Sequence, residues 1–487
     1  MTGPASRTLK VEALGRVEGE TALHLRIDGD KVVQARLAIY EPPRFFEAFL
    51  RGRAHTEPPD LTSRVCGICP VAYQLSACRA IEDACGVVVG GQVARLRRLL
   101  YCGEWIESQT LHVHLLHAPD FFGCGSVVEL ARFRPADVER GLRLKQAGNA
   151  ILELLGGRAI HPVNVRLGGF HRVPTAAELR PLTEQLLRAR DDAAHTVRWV
   201  AGFDFPDAVC DHDLLALAET DTYAIESGTP TVMTVGGPHH SAPGIDRAFS
   251  TRSFAVSEFG SHVVEHQVPY STGLHSRLDG RRHLTGSLAR FAISGRHLSP
   301  IARQAAQEAG LGDPLQGAVC LNPFRSIIVR AVEVLYAVDE ALRIIDAYEP
   351  AANPYVDVPP RHGVGHGATE APRGLLYHRY SLDTRGTVTD ATLVPPTAQN
   401  QGAIEEDLRR IVQERLRDGD ATDAELTGLC ERAIRNHDPC ISCSTHFLDL
   451  TVERTGDAPR HPAGRPRPRP RPRGGDPSSG EAARTST

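Results

Sequence analysis

The chain has 487 residues, 41% of them hydrophobic and 23% charged, with a formal net charge of −4. This length supports one large buried core or roughly two to three ordinary domains, and the composition is that of a soluble globular protein. The small net charge offers nucleic acid or an anionic membrane no attraction, and no stretch approaches the roughly 18 apolar residues of a membrane span.

In chain order, Arg7 to Leu14 and Glu20 to Ile39 read as strands, with a turn at Asp28-Gly29-Asp30 between apolar runs. From about Ala72 the period becomes helical. Val93 to His117 carries Leu96, Leu99, Leu100, Trp105 and Ile106 at three- and four-residue spacing. Arg140 to Leu155 repeats that pattern and stops at Gly156-Gly157-Arg158, with Pro162 beyond. Ala176 to Val200 and Ile327 to Tyr348 are two more long helical patterns. Phe203 to Leu298 is mixed, with strand-like runs such as Ser261 to Val268. Pro359 to Gly374 and Val388 to Asn400 read as loop and strand, and Ala403 to Leu416 as helix. The fold class expected is α+β, predominantly α, with a β-rich N-terminal portion.

Pro459 to Thr487 differs in kind. Arg-Pro alternation from Arg465 to Arg473 leaves almost nothing to bury, so the segment is expected to be disordered or extended. Its seven arginines face only Asp476 and Glu481, and a basic run of this kind is usually just solvated. Elsewhere too the basic residues are nearly all arginine, Lys10, Lys31 and Lys145 being the only lysines. Met1 to Lys10 lacks a charged region followed by an apolar one, so no signal peptide is expected. Eleven cysteines, an odd number, without an export signal argue for a reducing compartment and for thiolates used as ligands.

Two Cys-x-x-Cys pairs stand out, Cys66-Gly67-Ile68-Cys69 and Cys440-Ile441-Ser442-Cys443. A two-residue gap lets both sulfurs of a pair reach one metal. Three readings compete on spacing alone. A structural zinc site is the usual meaning of two pairs, but those pairs normally lie roughly 15–20 residues apart. A dithiol redox motif needs one pair and a thioredoxin-like context, which is missing. The third reading is a soft, thiolate-rich catalytic metal that joins the two ends of the fold. The remaining cysteines, Cys78, Cys85, Cys102, Cys124, Cys210, Cys320 and Cys430, lack paired spacing and read as small core residues.

The flanking residues decide among the three. Arg64-Val65-Cys66-Gly67-Ile68-Cys69-Pro70 and Asp438-Pro439-Cys440-Ile441-Ser442-Cys443-Ser444-Thr445-His446 resemble the two signatures of nickel–iron hydrogenase large subunits. Arg16-Val17-Glu18-Gly19, Glu370-Ala371-Pro372-Arg373-Gly374 and Val394-Pro395-Pro396-Thr397 resemble further motifs of that family, in its order. The resemblance runs from about Arg7 to His446. It implies a catalytic domain over residues 1–446 and an extension over 447–487 that a maturation endopeptidase removes after His446. It also implies nickel-delivery proteins.

By the same resemblance, Cys66 and Cys440 are terminal nickel ligands, while Cys69 and Cys443 bridge to an iron that carries CO and cyanide. Thiolates are soft donors that suit such metals. H₂ is the implied substrate, and its heterolytic cleavage needs a base, for which Glu18 is the candidate. Read alone, Glu18 is an ordinary surface carboxylate on an N-terminal strand. Arg373 is the guanidinium over the metals, always charged and a rigid fork of donors. Asp120 and Asp438 are expected to hold it by carboxylate pairing. Thr397, with Pro396 beside it, is the cofactor-binding hydroxyl position, and Pro372 belongs to the Arg373 motif. Many relatives carry a second hydroxyl residue where this chain has Ala398. Glu47 and His446 match a pair that binds a hard cation, Mg²⁺ or Fe²⁺; the plain alternative is a buried Glu–His contact without metal. His112, His114 and His117 fall in no motif and read as helix-surface and core histidines.

Tyr73 stands where many relatives have histidine. With Arg44-Phe45-Phe46-Glu47 and Gly365-His366-Gly367-Ala368-Thr369-Glu370, it resembles the cytoplasmic subgroup that couples H₂ to NAD(P), the alternative being the membrane uptake subgroup. The implied partners are an iron–sulfur small subunit and flavin/iron–sulfur NAD(P)-reducing subunits. The competing class is a relative that keeps the fold as a quinone-site or structural subunit of a complex I-like assembly. That relative has lost the four cysteines.

Overall fold

Alternating apolar residues fold the N-terminus into a three-stranded antiparallel sheet of Ser6–Val11, Thr21–Asp28 and Lys31–Ile39. The structure is a computed structural model describing residues 6–209, 211–235 and 249–445. The inner face of this sheet, with Leu23, Leu25, Ile27 and Leu37, buries itself on Ile404, Leu408 and Val412 of the helix Pro396–Arg417. Leu426, Cys430 and Ile434 of the helix Asp423–Arg435 complete that cluster. The N-terminal sheet is thereby packed on residues 396–435.

The largest apolar cluster joins the helices Pro70–Cys85, Gly91–Thr110, Pro135–Gly156, Ala176–Ala201 and Ser326–Asp346. The last is buried on nearly every face, with Arg330, Glu333 and Glu340 buried among its apolar residues. Thr175 caps Ala176–Ala201 in a reciprocal bond with Glu178.

A second antiparallel sheet runs Gly363–Ala371, Gly374–Leu382, Val388–Val394. Its first strand lies directly on the helix Pro70–Cys85. A Cβ at Gly365 would sit 1.9 Å from the Ala80 carbonyl, and one at Gly367 2.5 Å from that of Ser76. Glycines at alternate positions thus let the strand backbone touch the helix. A third sheet, in the order His283–Leu284, Asp213–Ala218, Thr229–Val235, Phe249–Ser253, fills the mixed central region.

The fold is α+β and predominantly α, with the β-rich N-terminal portion in place. The long helices match their apolar periods, with three differences. The helix over Val93 to His117 is α-helical to Thr110, and Leu111–His117 is π-helical. Val388 to Asn400 is not loop and strand throughout, because the strand ends at Val394 and a helix starts at Pro396. Proline at the first helical position is pre-organised for a helix rather than a breaker of it. Finally, the helix Asp423–Arg435 stands where the sequence reading placed none. Its capping box, Thr422 with Glu425, was the available signal. Among the described residues, no helix is long and apolar enough to cross a membrane. Cys210, His446 and the extension 447–487, with its Arg/Pro-rich part, lie outside the described residues.

Candidate metal centre

The first cysteine pair is held by a helix start. Cys66 is extended at the end of the turn Ser63–Val65, and Cys69 precedes Pro70, the first residue of the helix Pro70–Cys85. The amides of Ile68 and Cys69 both donate to Cys66 Sγ at 3.3 Å. Below them Glu104, fully buried, accepts the free helix-start amides of Val71 (2.6 Å) and Ala72 (3.1 Å). A side-chain cap of this kind satisfies donors that the helix itself cannot. The second pair follows a strained turn. Asp438 has φ of 48°, a left-handed conformation that few non-glycine residues adopt. Pro439 follows, and the Cys440 amide donates to Thr397 Oγ1 at 3.0 Å.

The two pairs meet. Cys66 Sγ lies 3.5 Å from Cys440 Sγ, Cys69 Sγ 3.8 Å from Cys443 Sγ, and Cys440 Sγ 2.9 Å from Cys443 Sγ. All four ligand atoms lie within 4.8 Å of one another, and all four residues are buried. This is the donor set that a soft metal takes, and its four-sulfur spacing fits metal–sulfur bonds of about 2.3 Å. Hydrogen bonds from Cys440, Cys443 and Cys69 hold the Cys66 thiol well below its ordinary value. The Cys440 thiol is pushed well up by its bonds to Cys443 and Cys66.

Glu18 reaches the cluster from the N-terminal segment. Its backbone bridges to Cys440, and its carbonyl accepts the Ile441 amide at 3.0 Å. Its Oε2 lies 3.0 Å from Cys440 Sγ and accepts the Ser442 amide at 3.1 Å. Gly19 makes this approach possible, since a Cβ there would sit 2.6 Å from the Ile441 Cβ, and its φ is +88°.

Arg373 comes from the second sheet, at the two-residue tip Pro372-Arg373 between the paired Ala371 and Gly374. It donates to Asp438 Oδ1 and to Ser108 Oγ, at 3.2 and 3.3 Å. Burial opposes its charge, but Asp438 and the thiols Cys440, Cys69 and Cys66 hold its pKa well above the ordinary arginine value.

Of the candidate residues, the structure brings together Cys66, Cys69, Cys440, Cys443, Glu18, Arg373, Asp438 and Thr397. Pro372 and Pro396 hold their places beside Arg373 and Thr397. Asp120 needs a correction. It was expected to hold Arg373, but its Oδ2 accepts Arg435 Nε at 2.7 Å and its Oδ1 accepts Arg435 Nη2 at 2.9 Å. Arg16 pairs with the same carboxylate. Asp120 therefore ties the Arg16–Gly19 segment to the helix before Cys440, one step removed from Arg373. Glu47, in the short helix Phe46–Leu50, accepts the Leu393 amide at 2.8 Å. His446, expected to share a cation with it, lies outside the described residues.

None of His112, His114 and His117 is on the surface: all three are buried. Burial holds His114 down at about 4 and the other two well below 6.5, so they are neutral. The lone cysteines Cys78, Cys85, Cys102, Cys124, Cys320 and Cys430 are buried, as expected of core residues.

Sequence reading missed Glu104, Ser108 and Glu265. Glu265 sits near Glu47, and burial followed by that like charge pushes its carboxyl well up. No motif marks these three, because each meets its partner from another element, through a contact that only the tertiary fold creates. Tyr73 was singled out, and its buried hydroxyl lies beside Cys443.

The nickel-dependent hydrogenase family model matches residues 44–140 and 318–446. The chain is 31% identical to sulfhydrogenase 1 subunit alpha of Pyrococcus furiosus over 451 residues, 91% of this chain and 98% of that one. It is 27% identical to the NAD-reducing hydrogenase HoxS subunit beta of Cupriavidus necator, over 91% of this chain and 95% of that one. A crystal structure of an NAD⁺-reducing [NiFe]-hydrogenase in the H₂-reduced state superimposes with a TM-score of 0.78 at 26% identity. It covers 90% of this chain and 99% of that one.

Proposed function

The chain belongs to the nickel-dependent hydrogenase family, and from that premise we propose that it is the subunit at which H₂ is reversibly split into protons and electrons. One observation carries the reading: four buried thiols, in two pairs 374 residues apart, converge in one cluster, with Glu18 in hydrogen-bond reach and the Arg373 charge close by.

Cys66 and Cys440 would hold nickel, while Cys69 and Cys443 would bridge it to an iron carrying CO and cyanide. This group, when bound, supplies the soft, electron-rich centre on which H₂ is polarised. Glu18 is the proton acceptor, since its Oε2 is within hydrogen-bond reach of Cys440 Sγ and the Ser442 amide fixes its rotamer. Being half-buried, it can pass a proton outward. Arg373 keeps a fixed positive charge over the cluster, and Asp438 and Ser108 aim it. Thr397 Oγ1 accepts the Cys440 amide, so its own proton would be available to a cyanide of the bound group. Glu47 and His446, with Glu265 nearby, would serve a hard cation, Mg²⁺ or Fe²⁺.

The relatives that reduce NAD support a cytoplasmic enzyme whose electrons pass to an iron–sulfur small subunit and then to flavin/iron–sulfur, NAD(P)-reducing subunits. Residues 1–446 form the catalytic domain in this reading. Nickel-delivery proteins load it, and an endopeptidase then cuts after His446. Intact mass of the nickel-loaded enzyme tests the cut, since retention of Phe447 to Thr487 on active protein rules it out. The quinone-site alternative has no support here, because all four cysteines are present and clustered.

The deciding experiment is metal analysis with infrared spectroscopy of the purified complex. About one nickel per chain, CO and cyanide bands and H/D exchange are expected. A nickel-free protein with only zinc would return the site to the structural reading.

A further inference from the structure

Beneath the Arg373 hairpin lies a second arginine, Arg290, in the short helix Ser287–Ser294. It is wholly buried, and all five of its N–H donors are used. Nε and Nη2 take Glu333 bidentately, both at 2.7 Å. Nη1 donates to Glu370 Oε2 at 3.2 Å and to the Ala371 carbonyl at 3.0 Å, and Nη2 donates to the Pro372 carbonyl at 3.0 Å. The Trp105 ring lies against the guanidinium, 4.6 Å from Cζ to the ring centroid, and its Nε1–H donates to the Glu370 carbonyl at 2.9 Å.

The carbonyls of Glu370, Ala371 and Pro372 are thus each gripped, and these are the three residues that precede Arg373. A buried ion pair is a poor device for stability alone, since well-packed apolar residues often serve as well. What apolar residues lack is a fork of directed donors that fixes several carbonyls at once. Arg290 supplies that fork at the tip of a hairpin. On the other side of the tip, Gly374 has φ of +137°, and a Cβ there would sit 2.7 Å from the Thr285 Cγ2. The tip is clamped from both sides. Any tilt there would swing the long Arg373 side chain off the cluster.

We propose that Arg290, with Glu333 and Trp105, is a positioning residue that aims Arg373 at the thiol cluster. The inference rests on the reading of Arg373 given above. It acts through Arg373 and touches no reacting atom. A misplacement of about 1 Å in a directing group costs on the order of 100-fold in rate.

The test uses the holoenzyme with Arg290→Lys, made in both the natural background and an Arg373→Lys background. Lysine keeps the charge but has three donors against the five that Arg290 uses, so it cannot hold Glu333 bidentately, Glu370 and both carbonyls at once. In the natural background, H/D exchange should fall about 100-fold with nickel retained, and the cyanide infrared bands should shift in the same direction as in Arg373→Lys. In the Arg373→Lys background, Arg290→Lys should cost nothing further. Equal losses in both backgrounds, or unmoved infrared bands, overturn the inference and leave Arg290 a packing residue. If Arg290→Lys does not assemble, Trp105→Phe keeps an aromatic ring near the guanidinium and removes the donor to Glu370 together with the pyrrole edge. The same non-additivity is expected, with a smaller loss, and additivity overturns the inference. Full turnover in Arg373→Lys alone would overturn the reading of Arg373 itself, and this inference with it.

Discussion

Arg373 and Asp438, 65 residues apart in sequence, form an ion pair of 3.2 Å in which both side chains are only 3% exposed. It locks the hairpin tip to the strained turn before Cys440, and so ties the group above the cluster to the ligand strand itself. Asp438→Asn leaves a buried guanidinium without its counter-charge, which typically costs about 3–5 kcal/mol. Denaturant unfolding of the purified chain should show a loss of that order. H₂ oxidation should fall by about 100-fold, as when one pre-organised donor is lost. Wild-type stability and rate in Asp438→Asn would mean that the pair is incidental.

Glu18→Gln should leave nickel bound and lower H/D exchange by roughly 10²–10⁴-fold, the usual contribution of a positioned acid or base. Glutamine has the same shape and still accepts the Ser442 amide, but it does not titrate. Exchange at the wild-type rate, measured by mass spectrometry of HD and H₂ from D₂, rules Glu18 out as the main proton acceptor.

Gly19→Ala should be worse for assembly than for folding. The new Cβ meets Ile441 at 2.6 Å on a backbone with φ of +88°. Strain of roughly 1–3 kcal/mol is expected, and relieving it moves Glu18 away from Cys440. Nickel content should therefore drop while most secondary structure remains. Circular dichroism with metal analysis reads both, and full nickel occupancy would show that the segment absorbs the strain.

How much of this was legible beforehand follows from range along the chain. The helices over Ala176 to Val200 and Ile327 to Tyr348 came from local period, and their observed bounds differ by at most two residues. The four cysteines were legible because each pair is a local motif, although spacing alone favoured structural zinc and only the flanking residues turned the reading to a catalytic metal. What composition cannot carry is which side chain meets which across hundreds of residues. Asp120 was near the site as read, but its partner is Arg435 and not Arg373, a choice made by tertiary packing. Arg290 and Glu104 bear no local signature, since their roles exist only once the hairpin at Arg373 and the helix at Pro70 lie against them.

The last prediction concerns the buried contact of Asp407 with His212 (2.7 Å) and His437 (3.0 Å), behind the Cys440 turn. Burial opposes both charges, yet the two imidazoles hold Asp407 well below the usual carboxylate range, and Asp407 raises His212 above 6.5. The signs differ for the two groups. His212, with a raised folded pKa, contributes stability fully below about 6.5 and loses it as pH rises through the raised value. Asp407, with a depressed folded pKa, contributes fully above about 3.9 and loses it only as pH falls toward the depressed value. The pair is therefore strongest between about pH 4 and 6.5. Asp407→Asn should lower unfolding free energy by up to about 3–5 kcal/mol in that window. The difference from wild type should shrink as pH rises from 6.5 toward 9. Denaturant titrations at pH 5.5, 7 and 9 measure it. A difference that stays constant across all three would mean that His212 is neutral in the fold and that the contact is an ordinary hydrogen bond.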